Sequence, residues 1–229
     1  LVGNDFWGRN PAQGNVGMWF TQGIDSTPNH QAQMDMVIIP TTGNSIDFGD
    51  LTVSRKGGAG CASATRGLAA GGSTTDGNAN TTNVIDYWSF SSKQNAVDFG
   101  DLAQTLENLA GLSNSTRGIF AHGQANGASP QQQIVYVTIS TTGNATNFGN
   151  GYGNRMSCGT ASTTRGLLAG GYSTDVIHYI TIATTGNSTS FGTLSSSRFN
   201  LGAASSSTRA LFSGGELSGG VNIIEYVTI

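Results

Sequence analysis

The sequence is poor in charged residues, and this scarcity excludes several broad functions. Charged side chains make up 10% of the 229 residues, with 10 Lys and Arg against 13 Asp and Glu, so the formal net charge is −3. Binding to a phosphate backbone needs concentrated positive charge, and we therefore expect no nucleic-acid partner. No apolar run approaches the roughly 20 residues that cross a bilayer as a helix, so we expect no membrane insertion.

Cysteine is scarce as well. The two cysteines, Cys61 and Cys158, fall in the same part of two copies of an internal repeat. We interpret each as filling a small position where other copies have Leu112 or Ala203, and a disulfide between them is the alternative. No Cys or His pair has the spacing of a metal site, so we expect no metal and no other cofactor.

The repeat itself is the main feature of the chain. Three markers recur together at spacings of 43 to 51 residues. They are a Phe-Gly pair (Phe48-Gly49, Phe99-Gly100, Phe148-Gly149, Phe191-Gly192), a Thr-Arg pair (Thr65-Arg66, Thr116-Arg117, Thr164-Arg165, Thr208-Arg209) and a Tyr in an apolar strand (Tyr87, Tyr136, Tyr179, Tyr226). Markers that stay in register indicate one supersecondary unit that has been copied. Residue types kept in every copy should serve the architecture, and chemistry should appear where a copy breaks the pattern.

The cleanest copy predicts four strands joined by tight turns. It begins at Arg155, and we assign its strands to residues 157–161, 166–171, 176–182 and 188–191. The third strand is apolar at nearly every position, which indicates a sheet buried on both faces. Thr184-Thr185-Gly186-Asn187 has the composition of a hairpin turn.

Successive antiparallel sheets of about 45 residues that pack face to face are typical of a β-propeller. We therefore predict an all-β protein with one domain over residues 1–229 and five blades, most of them four-stranded and antiparallel. The predicted blades are residues 1–51, 55–102, 106–150, 155–194 and 198–229. A solenoid, which would also bury both sheet faces, ranks second.

The closure of the ring has two interpretations. The fifth copy has no segment that matches a fourth strand, and residues 1–8 bear some similarity to one. Register against Gly17 instead places residues 1–8 in the first strand of the first blade, and we favour this second interpretation.

The order of these elements resembles the Kelch repeat, with Phe instead of Trp in the outer strand. More specifically, residues 182–187 (Ile-Ala-Thr-Thr-Gly-Asn) and 47–51 (Asp-Phe-Gly-Asp-Leu) resemble a repeat of structural proteins from marine and cyanobacterial bacteriophages. The Ser-Thr-Arg-Gly element at residues 115–118 belongs to the same pattern. The resemblance covers residues 35–229. It implies a virion location, often in tail or capsid fibres that meet the host surface, and no catalytic activity.

The recurring arginines are the first candidate site. Arg66, Arg117, Arg165 and Arg209 would lie at one edge of the ring, where they could hold an anionic glycan. We favour an architectural role, in which each guanidinium bonds carbonyls or an Asp of the neighbouring blade, because the residue recurs in every full copy.

Aromatic residues that break the pattern are the second candidate site. Trp7, Trp19, Trp88 and Phe90 cluster in the first two predicted blades and could stack on sugar rings or contact another virion protein. Packing in the core is the ordinary role of most aromatic side chains. The polar insertion at residues 124–133 adds a loop that could take part in recognition.

An enzyme is the least favoured hypothesis. A glycosidase needs two carboxyl groups about 5 to 10 Å apart. Asp86 and Glu225 share a third-strand position away from the axis, and Glu107 is the remaining acid near the inner strands.

We therefore expect a non-enzymatic structural or adhesion module of a bacteriophage particle, located on the virion or outside the cell. Its partners would be other virion proteins and host-surface glycans, and a trimer is expected if it forms a fibre. A lectin-like propeller is the alternative, and a five-bladed glycoside hydrolase ranks last.

Overall fold

The computed structural model of the chain describes residues 17–20, 24–26, 29–76 and 79–229, with the backbone alone for residues 17–20, 24–26 and 29. These residues form β-strands, turns and loops, and the described part contains no helix. No membrane-spanning helix is therefore found among them.

Twenty strands are described, and all pair antiparallel with their neighbours. They are β1 (Gly17–Phe20), β2 (Ile24–Ser26), β3 (Asn29–His30), β4 (Gln33–Ile38), β5 (Ile46–Asp50), β6 (Ala59–Ala62), β7 (Arg66–Ala70), β8 (Val84–Ser89), β9 (Val97–Asp101), β10 (Ala110–Ser113), β11 (Arg117–Ala121), β12 (Gln133–Thr138), β13 (Thr146–Asn150), β14 (Cys158–Ala161), β15 (Arg165–Ala169), β16 (Val176–Thr181), β17 (Thr189–Thr193), β18 (Gly202–Ser205), β19 (Arg209–Ser213) and β20 (Ile224–Thr228).

The strands form sheets in chain order. Three sheets have four strands each, β6 to β9, β10 to β13 and β14 to β17. The sheets β1-β4-β5 and β18-β19-β20 have three strands each, and β2 and β3 form a separate ribbon. Each of the larger sheets lies within one residue range predicted for a blade.

Glycine and a β-bulge shape each blade in the same way. After β15, Gly170 and Gly171 take φ values of 63° and 122°, a conformation that side chains disfavour, and the strand ends there. The pairing between third and fourth strands slips at one equivalent place in every four-stranded sheet, for example between Ile177 and His178. Such bulges increase strand twist. The observed strands β14 to β17 agree with the predicted ones to within two residues at each end.

The first strands of successive sheets lie against one another. Strand β10 contacts both β6 and β14, and β14 contacts β18. A Cβ atom built on Gly111 would lie well inside 3.0 Å of the carbonyl oxygen of Gly60, and one on Gly159 would lie 2.6 Å from the carbonyl oxygen of Gly111. Ser113 Oγ also donates to the Ala62 carbonyl at 2.7 Å. This close approach explains why the first strands contain small residues.

Apolar side chains fill the space between neighbouring sheets. Leu68, Ile119 and Leu167, which occupy one equivalent position in the second strands, are all fully buried. The face-to-face packing of successive sheets therefore supplies the core, as the apolar third strands predict.

The last sheet differs because one of its faces is open. Leu211 occupies the same second-strand position as Leu68 and is 41% exposed. Tyr226 and Ile224 of β20 are 58% and 72% exposed. Within the described residues, no strand pairs with the outer edge of β20.

Both cysteines lie in first strands but at different positions, so the predicted equivalence to Leu112 holds for Cys61, whereas the equivalence to Ala203 holds for neither. Cys61 pairs with Leu68 and is equivalent to Leu112, whereas Cys158 pairs with Ala169 and is equivalent to Ala59 and Ala110. Both are free thiols buried in the sheets, so no disulfide joins them. Burial raises the pKa of both thiols, that of Cys158 to about 12.

These thiols should be inert in the folded protein. Ellman's reagent at pH 8 should label neither cysteine, because the reactive species is the thiolate and burial suppresses both its formation and its accessibility. Both should react fully after unfolding in guanidinium chloride. A Thr142→Cys variant, with its new thiol in an exposed turn, should show one fast-reacting group as a control. Fast labelling of the native wild-type protein would contradict this burial.

Candidate functional site

The antiparallel blades present two chemically different ends. The hairpin end contains the turns between first and second strands and between third and fourth strands. The loop end contains the connections from second to third strands and from each sheet to the next. The Thr-Arg pairs lie at the hairpin end, because each Arg begins a second strand.

At the hairpin end, two of the four recurring arginines connect neighbouring sheets. Arg66 Nη1 donates to the carbonyl of Ile139 in the next sheet at 3.1 Å, and Arg117 Nη1 donates to the carbonyl of Ile182 at 2.9 Å. These two hydrogen bonds are the contacts that the architectural interpretation predicts.

Each recurring guanidinium also lies over the tyrosine ring of its own sheet. The distances to the ring centroids are 4.7, 4.5, 4.8 and 4.4 Å for Arg66–Tyr87, Arg117–Tyr136, Arg165–Tyr179 and Arg209–Tyr226. Such cation–π contacts contribute about 0.5–1 kcal/mol at exposed sites. The Thr-Arg marker and the Tyr marker therefore recur together because their Arg and Tyr side chains are in contact.

The predicted aromatic surface is not assembled in the described part of the chain. Trp88 is fully buried, with its indole against the backbone of Gly67, so its assignment to a ligand surface was wrong. Phe90 is half-buried and packs on the core that surrounds Trp88. Trp7 lies outside the described residues, and for Trp19 only the backbone is described.

Inside the loop end, charged residues form buried pairs within two of the sheets. Arg55 Nη2 lies 3.0 Å from Asp86 Oδ2, and both side chains are fully buried. Asp86 also accepts hydrogen bonds from the backbone and hydroxyl of Thr52, at 3.2 and 2.6 Å. Burial lowers the pKa of Arg55, and the charge of Asp86 opposes that shift. Arg198, also fully buried, pairs with Glu225, whose side chain is 23% exposed.

The equivalent positions in the other two sheets contain no ion pair. The sheet β10 to β13 has Leu106 and Val135, which are both apolar and buried. The sheet β14 to β17 has Asn154 and His178, so the prediction that Arg155 is equivalent to Arg55 was wrong by one residue. Asp86 and Glu225 are thus each paired with a buried arginine.

The residue that directly follows Arg55, Leu106, Asn154 or Arg198 is different in every copy. These residues are Lys56, Glu107, Arg155 and Phe199, and each pairs across the sheet end with a residue that follows the Gly-Gly position. Those partners are Ser73, Gln124, Tyr172 and Glu216. The loop end is therefore where the repeat pattern breaks.

Three residues of this set, Glu107, Gln124 and Arg155, form a hydrogen-bonded network. Gln124 is fully buried rather than part of a free loop, and its amide donates to Glu107 Oε1 at 3.1 Å. Its oxygen accepts from Arg155 Nη1 at 2.6 Å. Burial raises the pKa of Glu107, and the hydrogen bond from Gln124 and the charges of Lys56 and Arg155 oppose that shift. The hydrogen bond to Gln124 holds Arg155 beside the loop that contains Tyr172.

A groove opens beside this network between the loops of the last two sheets. It has a volume of about 280 Å³ and is lined by Tyr172, Ser173, Ser197, Phe199, Glu216 and Leu217. The ring of Tyr172 is half exposed and lies 5.8 Å from the ring of Phe199. The guanidinium of Arg155 lies over the Tyr172 ring, 4.5 Å from its centroid.

The groove combines aromatic faces with a few polar groups. Glu216 is the one acidic residue among the six that line it. Two carboxyl groups, as hydrolysis of a glycosidic bond requires, are therefore not found on its walls. Across the described residues, no group of three or more His, Cys, Asp and Glu side chains is placed to hold a metal ion.

His122 belongs to a separate buried cluster below the loop end. Its Nδ1 lies 3.1 Å from Ser157 Oγ, and its ring packs edge-on against Tyr152. Burial lowers the pKa of His122 to about 3, with a smaller contribution from His178. The imidazole is neutral at physiological pH and packs between two sheets.

Comparison with known proteins identifies the fold. No protein-family model matches the chain, and no curated protein matches it. Among solved structures, YjhT superposes with a TM-score of 0.74 at 13% sequence identity, over 94% of this chain and 79% of that one. At this identity the likeness shows the fold alone, which is a β-propeller with blades of antiparallel strands.

Proposed function

We propose that the protein is a non-enzymatic adhesion module that binds carbohydrate in the groove at its loop end. The observation that carries this proposal is the half-exposed Tyr172 ring, which contacts Arg155 and Phe199 and lines the groove together with a single carboxylate. A sugar presents an apolar face that packs on an aromatic ring and hydroxyl groups that donate to carboxylate and serine oxygens. The groove offers both kinds of partner.

The proposal also covers the domain organisation, the particle to which the protein belongs and its partners. The chain is one domain with five Kelch-like blades, and it is a structural part of a bacteriophage particle, in a tail or capsid fibre. Its partners there are other virion proteins and host-surface glycans, and a fibre would make it a trimer. The phage-type repeat motifs support this setting. The small number of surface charges supports it too, because salt screens surface ion pairs and leaves their contribution small.

The proposal predicts glycan binding that depends on Tyr172. The wild-type protein should bind a defined subset of a glycan array, and Tyr172→Ala should weaken the binding of those glycans at least tenfold, or about 1.4 kcal/mol. The cause would be loss of the ring that packs on the sugar.

Tyr226→Ala is the matched control. Tyr226 is likewise exposed and likewise carries an arginine on its ring, but it lies on the open face of the last sheet, away from the groove. Its replacement should leave glycan binding unchanged. An array without binding would favour a scaffold role alone, and binding that survives Tyr172→Ala would place the sugar elsewhere.

A further inference from the structure

His122 occupies a backbone position that is glycine in the three comparable sheets. The first residue after the second strand has a φ of 64° at His122, and it has φ values of 64°, 63° and 62° at Gly71, Gly170 and Gly214. This left-handed conformation disfavours residues that carry a side chain. Residues held in such conformations are concentrated at binding sites and switch regions. The departure from glycine therefore indicates that the imidazole has a role of its own.

The imidazole is buried with a partner for only one of its two nitrogens among the described residues. His122 is fully buried, and its Nδ1 atom lies 3.1 Å from Ser157 Oγ. Its Nε2 atom has no hydrogen-bond partner in the described part of the chain. A Cβ atom built on Gly151 would lie against Nε2, and the Gly151 N–H already donates to the Gln132 carbonyl at 2.6 Å. A proton added at Nε2 would therefore leave a buried N–H and a positive charge unpaired.

The titratable groups around His122 do not favour a charged imidazole. Tyr152 lies edge-on to it, with ring centroids 4.4 Å apart. Burial raises the pKa of Tyr152, and it raises that of Cys158 to about 12, so both stay neutral in acid. Burial also lowers the pKa of His122 to about 3, and His178, whose ring centroid lies 4.9 Å from that of Tyr152, adds to this effect. The closed arrangement therefore holds the imidazole in its neutral form.

The imidazole lies in a seam between two sheets, formed by residues 122–124, which follow β11, and residues 154–157, which lead into β14. Each of residues 122–124 makes a hydrogen bond across this seam. Nδ1 of His122 pairs with Ser157 Oγ, the Gly123 N–H donates to the Asn154 carbonyl at 2.9 Å, and Gln124 Oε1 accepts from Arg155 Nη1 at 2.6 Å. Because the three bonds come from consecutive residues, a displacement of His122 toward solvent would break them together.

We propose that His122 makes this seam acid-sensitive, so that uptake of a proton by the imidazole separates residues 122–124 from residues 154–157 and releases Arg155 from Gln124. At neutral pH the uncharged ring fits the seam and holds it closed. An imidazole with a pKa of about 3 in the closed seam and about 6.5 in water takes up a proton on opening. The closed form therefore loses stability as the pH falls from about 6.5 toward 3. This inference is independent of the proposed glycan site.

Two other groups near the seam titrate in acid, and they act in opposite directions. Burial raises the pKa of Glu107, which bonds Gln124, so acid favours its buried form and opposes opening. Burial lowers the pKa of His178, so its protonation would favour opening as that of His122 does. Of the two, His178 is therefore the group whose titration could imitate that of His122.

Hydrogen exchange of the whole protein at pH 7 and pH 4.5, followed by mass spectrometry and corrected for the intrinsic effect of pH, tests the proposal. The two pKa values of His122 imply about seventyfold more of the open form at pH 4.5 than at pH 7. Peptides that cover residues 122–124 and 154–157 should accordingly lose about tenfold or more in protection. Urea at about 1 M should change this exchange little, since a local opening exposes little surface.

His122→Gly is the decisive variant, because the other sheets have glycine at this position. Its seam should keep its protection within about threefold between the two pH values, and so should that of His122→Asn, which also tolerates this φ. His178→Val is the matched control, since Val135 holds the equivalent position, and it should still lose about tenfold or more. The proposal is overturned if the wild-type seam keeps its protection at pH 4.5, if both His122 variants lose as much as wild type, or if urea accelerates the exchange as strongly as global unfolding would.

Discussion

Replacing Asp86 by alanine is expected to lower the free energy of unfolding by about 3–5 kcal/mol, because it leaves a fully buried guanidinium without its counter-charge. Arg55 would keep its hydrogen bond to the Ala69 carbonyl at 3.1 Å but no anionic partner. For a domain of this size, that loss corresponds to a fall in melting temperature of roughly 6–20 °C. Thermal unfolding monitored by circular dichroism would measure it.

The chain itself supplies the control for this variant. At the same two positions the sheet β10 to β13 has Leu106 and Val135, so an apolar pair fits the blade. The double variant Arg55→Leu/Asp86→Val should therefore be within about 1–2 kcal/mol of wild type, because replacing a buried ion pair by apolar residues of similar volume is often neutral. If the double variant were as unstable as Asp86→Ala, the ion pair would contribute more to stability than the neutralisation of two buried charges.

Gly111→Ala is expected to be strongly destabilising for so small a change, with a loss of about 3 kcal/mol or more. The added methyl group would meet the backbone of Gly60 on the neighbouring first strand, and a backbone cannot move aside as a flexible side chain can. Strand β10 also contacts β14, so relief in one direction tightens the other contact. Denaturant unfolding would give the change in free energy.

Gly186→Ala is the matched control for this substitution. Gly186 lies in an exposed hairpin turn, and a Cβ atom built there meets nothing within 4 Å. The change should alter stability by less than about 1 kcal/mol. Equal effects at both positions would mean that the close approach of the first strands is not what limits residue size in β10.

The repeat predicts the architecture well because the residues that recur in the sequence are in contact with one another in the structure. Each recurring Arg lies on the recurring Tyr of its own sheet, and Arg66 and Arg117 also bond the next sheet. A contact repeated in every copy leaves a periodic trace in the sequence. The strand bounds and the role of small residues in the first strands follow from the same periodicity.

The errors have local physical causes. Seven residues connect β13 to β14, whereas eight make the same connection between the other sheets, so Arg155 aligns with Arg55 in sequence although Asn154 holds that position. Trp88 breaks the repeat pattern without leaving the core, because Gly67 leaves room for its indole. A departure from a repeat therefore does not by itself indicate exposure.

The groove could not be predicted in the same way. Tyr172 and Phe199 are far apart in sequence and meet only because the loops of two sheets pack together. A signal was nevertheless present, since the residue after the Gly-Gly position is Ser73, Gln124, Tyr172 or Glu216 in the four copies. This variation singles out the loop end, although Gln124 at the same position is fully buried.

The separation of the two ends has a consequence for how such a protein can diversify. The arginine contacts between sheets lie at the hairpin end, while the dissimilar residues face solvent or one another at the opposite end. Exposed side chains of the groove such as Tyr172 and Leu217 can therefore be exchanged without changing the arginine bonds between sheets at the hairpin end. Gln124 and Arg155 join two sheets and would have to be kept. A protein engineer could randomise the exposed groove residues for the same reason.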